Sequence, residues 1–289
     1  MGSFKVILSY LLYASAAVLL FLYLLFPDQA VRAYMENRLT AMDPSLAISA
    51  EKIRPSIPPG LKMSGVDLSR DGFRIAHFEQ TRVSPVFSTL LNKQKRFQFS
   101  SHIADGTING WALMEGSASS GRLRVEADLS DIKLERLDAL QSITRFTLTG
   151  DLNGRLTHDG ARAPQGKVNG LLTSPNLRVT LKADLFGISE LTMTQTEADF
   201  SVDGQTMRLK SLTFEGPMME GRINGTIELA KPFERSRLNL TGNVKPRPEL
   251  FTRLQETIPE DMVNPRTLGT RGLNFRVYGS VGNPDVSMR

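Results

Sequence analysis

From Phe97 onward, apolar and polar residues alternate with a period of two. Leu123, Val125, Ala127 and Leu129 are interleaved with Arg124, Glu126 and Asp128, and Leu177, Val179 and Leu181 with Arg178 and Thr180. Leu238 and Leu240 repeat the pattern, as do Leu273, Phe275 and Val277. That period predicts strands with one buried and one solvated face. The dipeptides Asp105-Gly106, Asp159-Gly160 and Asp203-Gly204 predict turns between them. Two short stretches, Leu134 to Ser142 and Pro248 to Ile258, read as helical interruptions. Ahead of Phe97 the spacing is helical. Val31, Met35, Leu39 and Met42 follow Pro27 and precede Pro44, which predicts a helix serving as a stalk or a lid. "RPSIPPGL" (Arg54 to Leu61) reads as a rigid linker, and Ser84-Pro85 as the start of a second helix through Val86, Phe87, Leu90 and Leu91.

A pentamer recurs within the β pattern: "GTING" from Gly106, "GDLNG" from Gly150, "GKVNG" from Gly166 and "GRING" from Gly221. Asn-Gly is a strong hairpin signal, yet in "GDLNGRL" a two-residue hairpin pairs Leu152 with Arg155. A continuous strand instead puts Phe146, Leu148, Gly150, Leu152, Gly154 and Leu156 on one face, with Asn153 on the polar face and free to change. In "GRINGTIEL" the face is Ile223, Gly225, Ile227 and Leu229; the other two copies fit either reading. Glycines on an apolar face let a sheet curl. The candidate concave face is therefore Leu148, Gly150, Leu152, Gly154 and Leu156, with Ile223, Gly225 and Ile227. The closing strand adds Leu273, Phe275, Val277, Gly279 and Val281. Asn283-Pro284 then turns the chain into a final strand through Val286 and Met288. The irregular spacing of the copies excludes a fixed-period solenoid.

Val6 to Phe26 carries no charge, and at about 1.5 Å per residue it matches the ~30 Å hydrocarbon layer. Bulky residues follow its small ones, which favours an uncleaved signal anchor over a signal peptide. The expected fold class is mainly β: one N-terminal transmembrane helix, then a curled antiparallel sheet forming a half-barrel or groove, with a few short helices. The expected domains are 1–26 (cytoplasmic N-terminus and anchor), 27–60 (helical stalk and Pro-rich linker) and 61–289 (β domain). The net charge of +5 is mild, and the one tight cationic cluster is Lys93, Lys95 and Arg96, beside Phe97 and Phe99. A nucleic-acid-binding stripe needs more, so nucleic acid is not an expected partner. The chain has no Cys, which removes disulfides and thiolate metal sites.

No phosphate loop, dinucleotide fingerprint, zinc-protease motif or nucleophile elbow is present. His77, His102 and His158 stand far apart, and Glu197 and Asp199 share a face that the alternation makes solvent-facing. Trp111, the one Trp, reads as a core or rim aromatic. The expectation is no enzyme, no metal and no cofactor.

Three stretches, Glu51 to Ser69, Arg82 to Ala112 and Gly272 to Arg289, placed behind the anchor, resemble the type II secretion system protein N family. More distantly, the single anchor and glycine-punctuated strands are similar to the AsmA-like envelope proteins. The resemblance implies a Gram-negative inner-membrane protein with its bulk in the periplasm. It implies an accessory component of type II secretion whose β domain docks other secretion subunits. The alternative it implies is an AsmA-like protein that binds or transfers phospholipid. Neither brings catalytic residues.

Overall fold

The computed structural model describes residues 25–42, 46–70, 73–116, 122–138, 146–160, 166–185, 188–250 and 272–288, with single positions between 6 and 23 and at 140. It is mainly β, with fifteen strands in antiparallel pairs, and it clusters into two units, Met1–Pro85 and Val86–Arg289. Most of the expected span Val6 to Phe26 lies outside the described residues. Among the described residues no helix is long and apolar enough to cross a membrane.

The N-terminal unit is a helix on a three-stranded meander: α1 (Asp28–Met42), β1 (Leu46–Ser56), β2 (Gly60–Arg70) and β3 (Phe73–Pro85). The helix begins after Pro27, with Asp28 in its first turn, where an acid suits the helix dipole. Its Val31 and Met35, with Phe26, pack on Ala50, Ile53, Met63 and Val66, which are 3–4% exposed. The lid reading of this helix therefore fits, and Arg32 Nη2 fixes it by donating to the Glu51 carbonyl at 2.9 Å.

Two expectations in this region fail. The Pro-rich stretch is a hairpin, with Pro55 opposite Leu61 and Ser56 opposite Gly60. Proline is tolerated at the end of an edge strand and within the turn, so three prolines here shape a hairpin instead of stiffening a linker. The expected domain boundary after residue 60 falls inside that hairpin. Likewise Ser84 and Pro85 finish β3, and only a 3-10 turn, Phe87–Thr89, follows. The next strand starts at Gln94, which leaves too little chain for a helix. The Thr89 hydroxyl closes the turn, donating to the Val86 carbonyl at 2.7 Å and accepting the Arg96 N–H at 3.0 Å.

The C-terminal unit is one antiparallel meander: β4 (Gln94–Ile103), β5 (Gly106–Glu115), β6 (Arg122–Lys133), β7 (Phe146–Thr149), β8 (Asp151–Asp159), β9 (Lys167–Leu185), β10 (Ile188–Asp203), β11 (Thr206–Glu215), β12 (Met219–Glu228), β13 (Arg237–Pro246), β14 (Leu273–Ser280) and β15 (Asn283–Met288). Each strand pairs with its neighbours in sequence, except that β7 lies beyond β8 along the same side of β9. The sheet is open: among the described residues β15 has β14 as its single partner.

Turn chemistry is close to expectation. Ala104 and Asp105, with φ of +49° and +62°, make a two-residue loop between Ile103 and Gly106. Gly204-Gln205 joins Asp203 to Thr206. The final turn is Val281-Gly282, not Asn283-Pro284, which already belongs to β15; Val281 is thus not on the face of β14. The interruption from Leu134 begins as a 3-10 turn, Leu134–Arg136, and Pro248–Leu250 is helical; the remainder of both lies largely outside the described residues.

The strand expected from Phe146 to Leu156 is broken at Gly150, a bend with φ +137°. Across from it, Asn176 sits in β9 with φ +57°. Leu181 pairs with Phe146 and Val179 with Leu148 before this point; Leu172 pairs with Gly154 after it, one residue out of register.

The sealed core of the first unit yields a direct expectation. Ile53→Ala should lower that unit's stability by about 2–4 kcal/mol through lost burial and a cavity. Ile75→Ala, 39% exposed, should cost less than about 1 kcal/mol. Amide-exchange protection across β1 and β2 measures both; equal losses would contradict this core.

Candidate functional site

Residues directly opposite in an antiparallel ladder share a face, so the register of the C-terminal unit defines its two surfaces. Ile108 lies opposite Leu129, Leu129 opposite Gly154, Gly154 opposite Leu172, and Leu172 opposite Ala198. The row continues through Leu212, Ile223, Gly242, Phe275 and Met288. A parallel row runs from Phe99 and Gly110 through Leu156, Gly170 and Phe200. It goes on through Leu209, Gly225, Leu240, Val277 and Val286. A third joins Phe97, Val125, His158, Val168, Val202 and Ile227 through the intervening strands. Apart from His158, every member of these rows is apolar or glycine.

The opposite face is polar. Arg155 donates to Asp128 at 2.6 Å and lies 3.5 Å from Glu126; Lys210 pairs with Asp199 at 2.7 Å, and Arg178 with Glu190 at 3.1 Å. The hydrogen bond to Asp128 raises the Arg155 pKa, and that to Asp151 raises that of Lys133. Arg247 lowers that of Glu220 through its hydrogen bond. These pairs are exposed and contribute little stability; they keep this face wet and distinct from the other.

The apolar face has no second layer among the described residues. Among the described residues the helix of several turns, α1, belongs to the other unit. Most residues of the rows are half-buried; Leu129, Leu209 and Ala127 are 8–9% exposed, and Ile132, opposite Leu152 on the same face, is 2% exposed. The longest row, Phe99 to Val286, crosses ten strand spacings of about 4.8 Å and is roughly 48 Å long. Three rows, with about 6.8 Å between residues on one face, give an apolar area of roughly 1,000 Å². That exceeds the ~300–600 Å² largest patch of an ordinary monomer, and such patches mark binding surfaces.

The expected face residues are largely brought together. Leu152, Gly154 and Leu156 of β8, Ile223, Gly225 and Ile227 of β12, and Leu273, Phe275, Val277 and Gly279 of β14 all lie on this surface. Leu148 sits beyond the break, opposite Val179, and Gly150 lies in the bend between strands. None of the four pentamers is a hairpin tip. Their Asn-Gly pairs lie within β5, β8, β9 and β12.

What the sequence concealed is the partner of each glycine. Phe99 lies opposite Gly110, Phe200 opposite Gly170, Phe214 opposite Gly221 and Phe275 opposite Gly242. In each pair a Cβ on the glycine would collide with the facing phenyl ring. Each ring thus lies over a bare stretch of backbone, the arrangement by which an aromatic residue compensates a strand glycine. At Gly154 and Gly225 the obstacle is backbone instead: the Leu171 and Asn239 carbonyls, with φ at +152° and +145°. Nothing in one strand reveals which residue its glycine will face, so only the register could have found these pairs.

Asn153 also differs from expectation. Its Oδ1 accepts the N–H of Asp131 at 2.8 Å. Asp131 has φ +55° and sits in the bulge where β6 and β8 shift register between Leu129 and Ile132. The side chain satisfies a backbone group that the ladder leaves unpaired, so this position is not free to change.

Other expected chemistry lies dispersed. His77 Nδ1 pairs with Asp67 Oδ1 at 2.7 Å, and His158 packs beneath Gly160 and Gly166. Among the described residues no three metal-ligating side chains converge. No protein-family model matches the chain, and no curated protein or solved structure matches it.

The glycine–phenylalanine pairs predict a specific coupling. Gly170→Val should cost about 1–3 kcal/mol by overpacking. Adding Phe200→Ala should recover part of that loss, giving a favourable coupling of at least about 1 kcal/mol in a double-mutant cycle. Gly154→Val should not be rescued by Leu172→Ala, because the Leu171 carbonyl remains. Additive losses at Gly170 and Phe200, measured by thermal unfolding, would refute the contact.

Proposed function

We propose that this chain is a membrane-anchored envelope protein that holds phospholipid acyl chains on the apolar face of its C-terminal sheet. The observation that carries the reading is the continuous, largely apolar surface with no layer over it among the described residues. At about 48 Å it is longer than the ~15 Å of one leaflet's acyl layer, so several chains fit side by side along it. Val6 to Phe26 would anchor the protein in the inner membrane, with the sheet in the periplasm. The reading is of a binding protein, not an enzyme, and it needs no cofactor.

A second reading is an accessory subunit of type II secretion that docks its partners by strand addition. It rests on the resemblance of the three stretches and on one feature of the fold. Among the described residues strand β15 has a single partner, and its Val286 and Met288 are 62% and 75% exposed. An edge of that kind invites pairing with another chain.

One experiment separates the two. The full chain is purified, taken through detergent exchange, and its retained phospholipid counted by mass spectrometry. Leu156→Glu and Ile223→Glu should reduce retained lipid several-fold. Thr157→Glu and Arg222→Glu, on the polar face, should not, with unchanged circular dichroism in all four. Equal lipid in all variants would contradict the acyl-chain reading. Recovery of a secretion subunit that is lost on replacing Val286 and Met288 by Lys would favour the second.

A further inference from the structure

The turn that leads into β4 places apolar, cationic and aromatic groups together, none of which the acyl-chain surface uses. Leu91 is 99% exposed and Phe87 56% exposed, in the turn that follows β3. Lys93, Lys95 and Arg96 come within the next five residues. Thr89, Asn92, Lys93, Gln94, Arg96 and Trp111 line a cleft of about 570 Å³. The Arg96 guanidinium lies over the Trp111 ring, 4.6 Å from its centroid. Glu115, the acidic residue beside the cluster, is engaged by Gln94 Nε2 at 2.7 Å. Neither lysine nor Arg96 has a carboxylate within ion-pair distance among the described residues. The turn is held by the Thr89 hydroxyl and by the Val86 N–H, which donates to the Arg96 carbonyl at 2.9 Å.

We propose that this turn docks on the surface of an anionic bilayer, with Leu91 and Phe87 entering the acyl boundary and Lys93, Lys95 and Arg96 pairing with phosphate headgroups. Each part has a counterpart in that interface. A nearly bare Leu beside a half-bare Phe gains from a shallow apolar layer. Cations one to five residues away meet the negative surface potential of the leaflet. A Trp with its ring against an Arg suits the headgroup level, where one end is apolar and the other wet. A nucleic acid would explain the cations and the ring but not Leu91. An acidic protein would explain the cations alone. The inference does not depend on what the apolar face of the sheet binds.

The absence of Cys and the single Trp make the test clean. Leu91→Cys in the full chain carries one environment-sensitive fluorophore, and Trp111 is a native reporter beside it. The protein is mixed from detergent with vesicles of phosphatidylcholine alone, or with about 30% phosphatidylglycerol, and the detergent removed. Expected with the anionic vesicles are a blue-shifted label and strong quenching by lipids spin-labelled near the headgroup. Both should be several-fold weaker with neutral vesicles, and both should fall at about 0.5 M salt, where the Debye length shrinks below ~5 Å. Lys93→Gln, Lys95→Gln and Arg96→Gln together should abolish them with circular dichroism unchanged. A label that stays water-exposed in both compositions overturns the proposal. So does insertion that ignores lipid charge, and so does a Trp111 response to inorganic phosphate without lipid quenching of the label.

Discussion

In a β-strand, a slip of one residue moves every side chain to the opposite face. The two-faced surface of the C-terminal unit therefore depends on the register of each of its ladders at once. Where an extra residue enters a strand, the phase must be restored within that strand. In β11 the bulge at Lys210-Ser211 separates Leu209 from Leu212, yet both remain on the apolar face, opposite Phe200 and Ala198. Lys210 turns outward to Asp199. In β6 the bulge at Asp131 does the same for Leu129 and Ile132, and the Asn153 side chain takes up its N–H. The glycines with phenylalanines across from them maintain the same surface: they admit close approach of backbone and ring without breaking the apolar row.

The two units show the consequences of covering a sheet. In the first, α1 lies on the strands, and Ala50, Ile53, Met63 and Val66 are sealed. In the second, the same alternation produces an apolar face without a helix over it among the described residues. Half-burial leaves part of the apolar area of most of these side chains in water, at about 25 cal/mol per Å² forgone. A ligand with apolar chains recovers that term, and this is the physical link from fold to proposed function. A partner protein that lays a strand on β15 would satisfy the sheet edge, but it would leave the face open.

Much of this was legible in the sequence. The period of two identified the strands, and the pairing of residues such as Leu152, Gly154 and Leu156 with the polar Asp151, Asn153 and Arg155 identified the face. Even the bulges leave a trace, since Leu129 to Ile132 and Leu209 to Leu212 are three apart where two is the rule. Sequence and structure differ where longer-range pairing overrides a local signal. Pro55 and its neighbours looked like a linker because proline disfavours ladders, but the edge of a sheet tolerates it. Ser84-Pro85 looked like a helix start because capping chemistry is local, whereas the strand that Pro85 completes is fixed by partners far away in sequence. The alternation runs through Leu148 and Gly150 in sequence, across a bend that only the positive φ of Gly150 and of Asn176 reveals. The cluster from Lys93 to Arg96 carries too little charge in sequence to point to a partner; the exposure of Leu91 is a property of the fold that composition does not contain.

The central claim is that the apolar face, and not the polar face, is where acyl chains lie. A photo-crosslinking residue placed in living cells at Leu156, Ile223 or Val277, and in parallel at Thr157, Thr226 or Tyr278, tests it most directly. Intact-mass measurement of the purified protein after illumination gives the outcome. Phospholipid adducts at the first three positions and their absence at the second three are the predicted result. Adducts at both sets, or at neither, would contradict it.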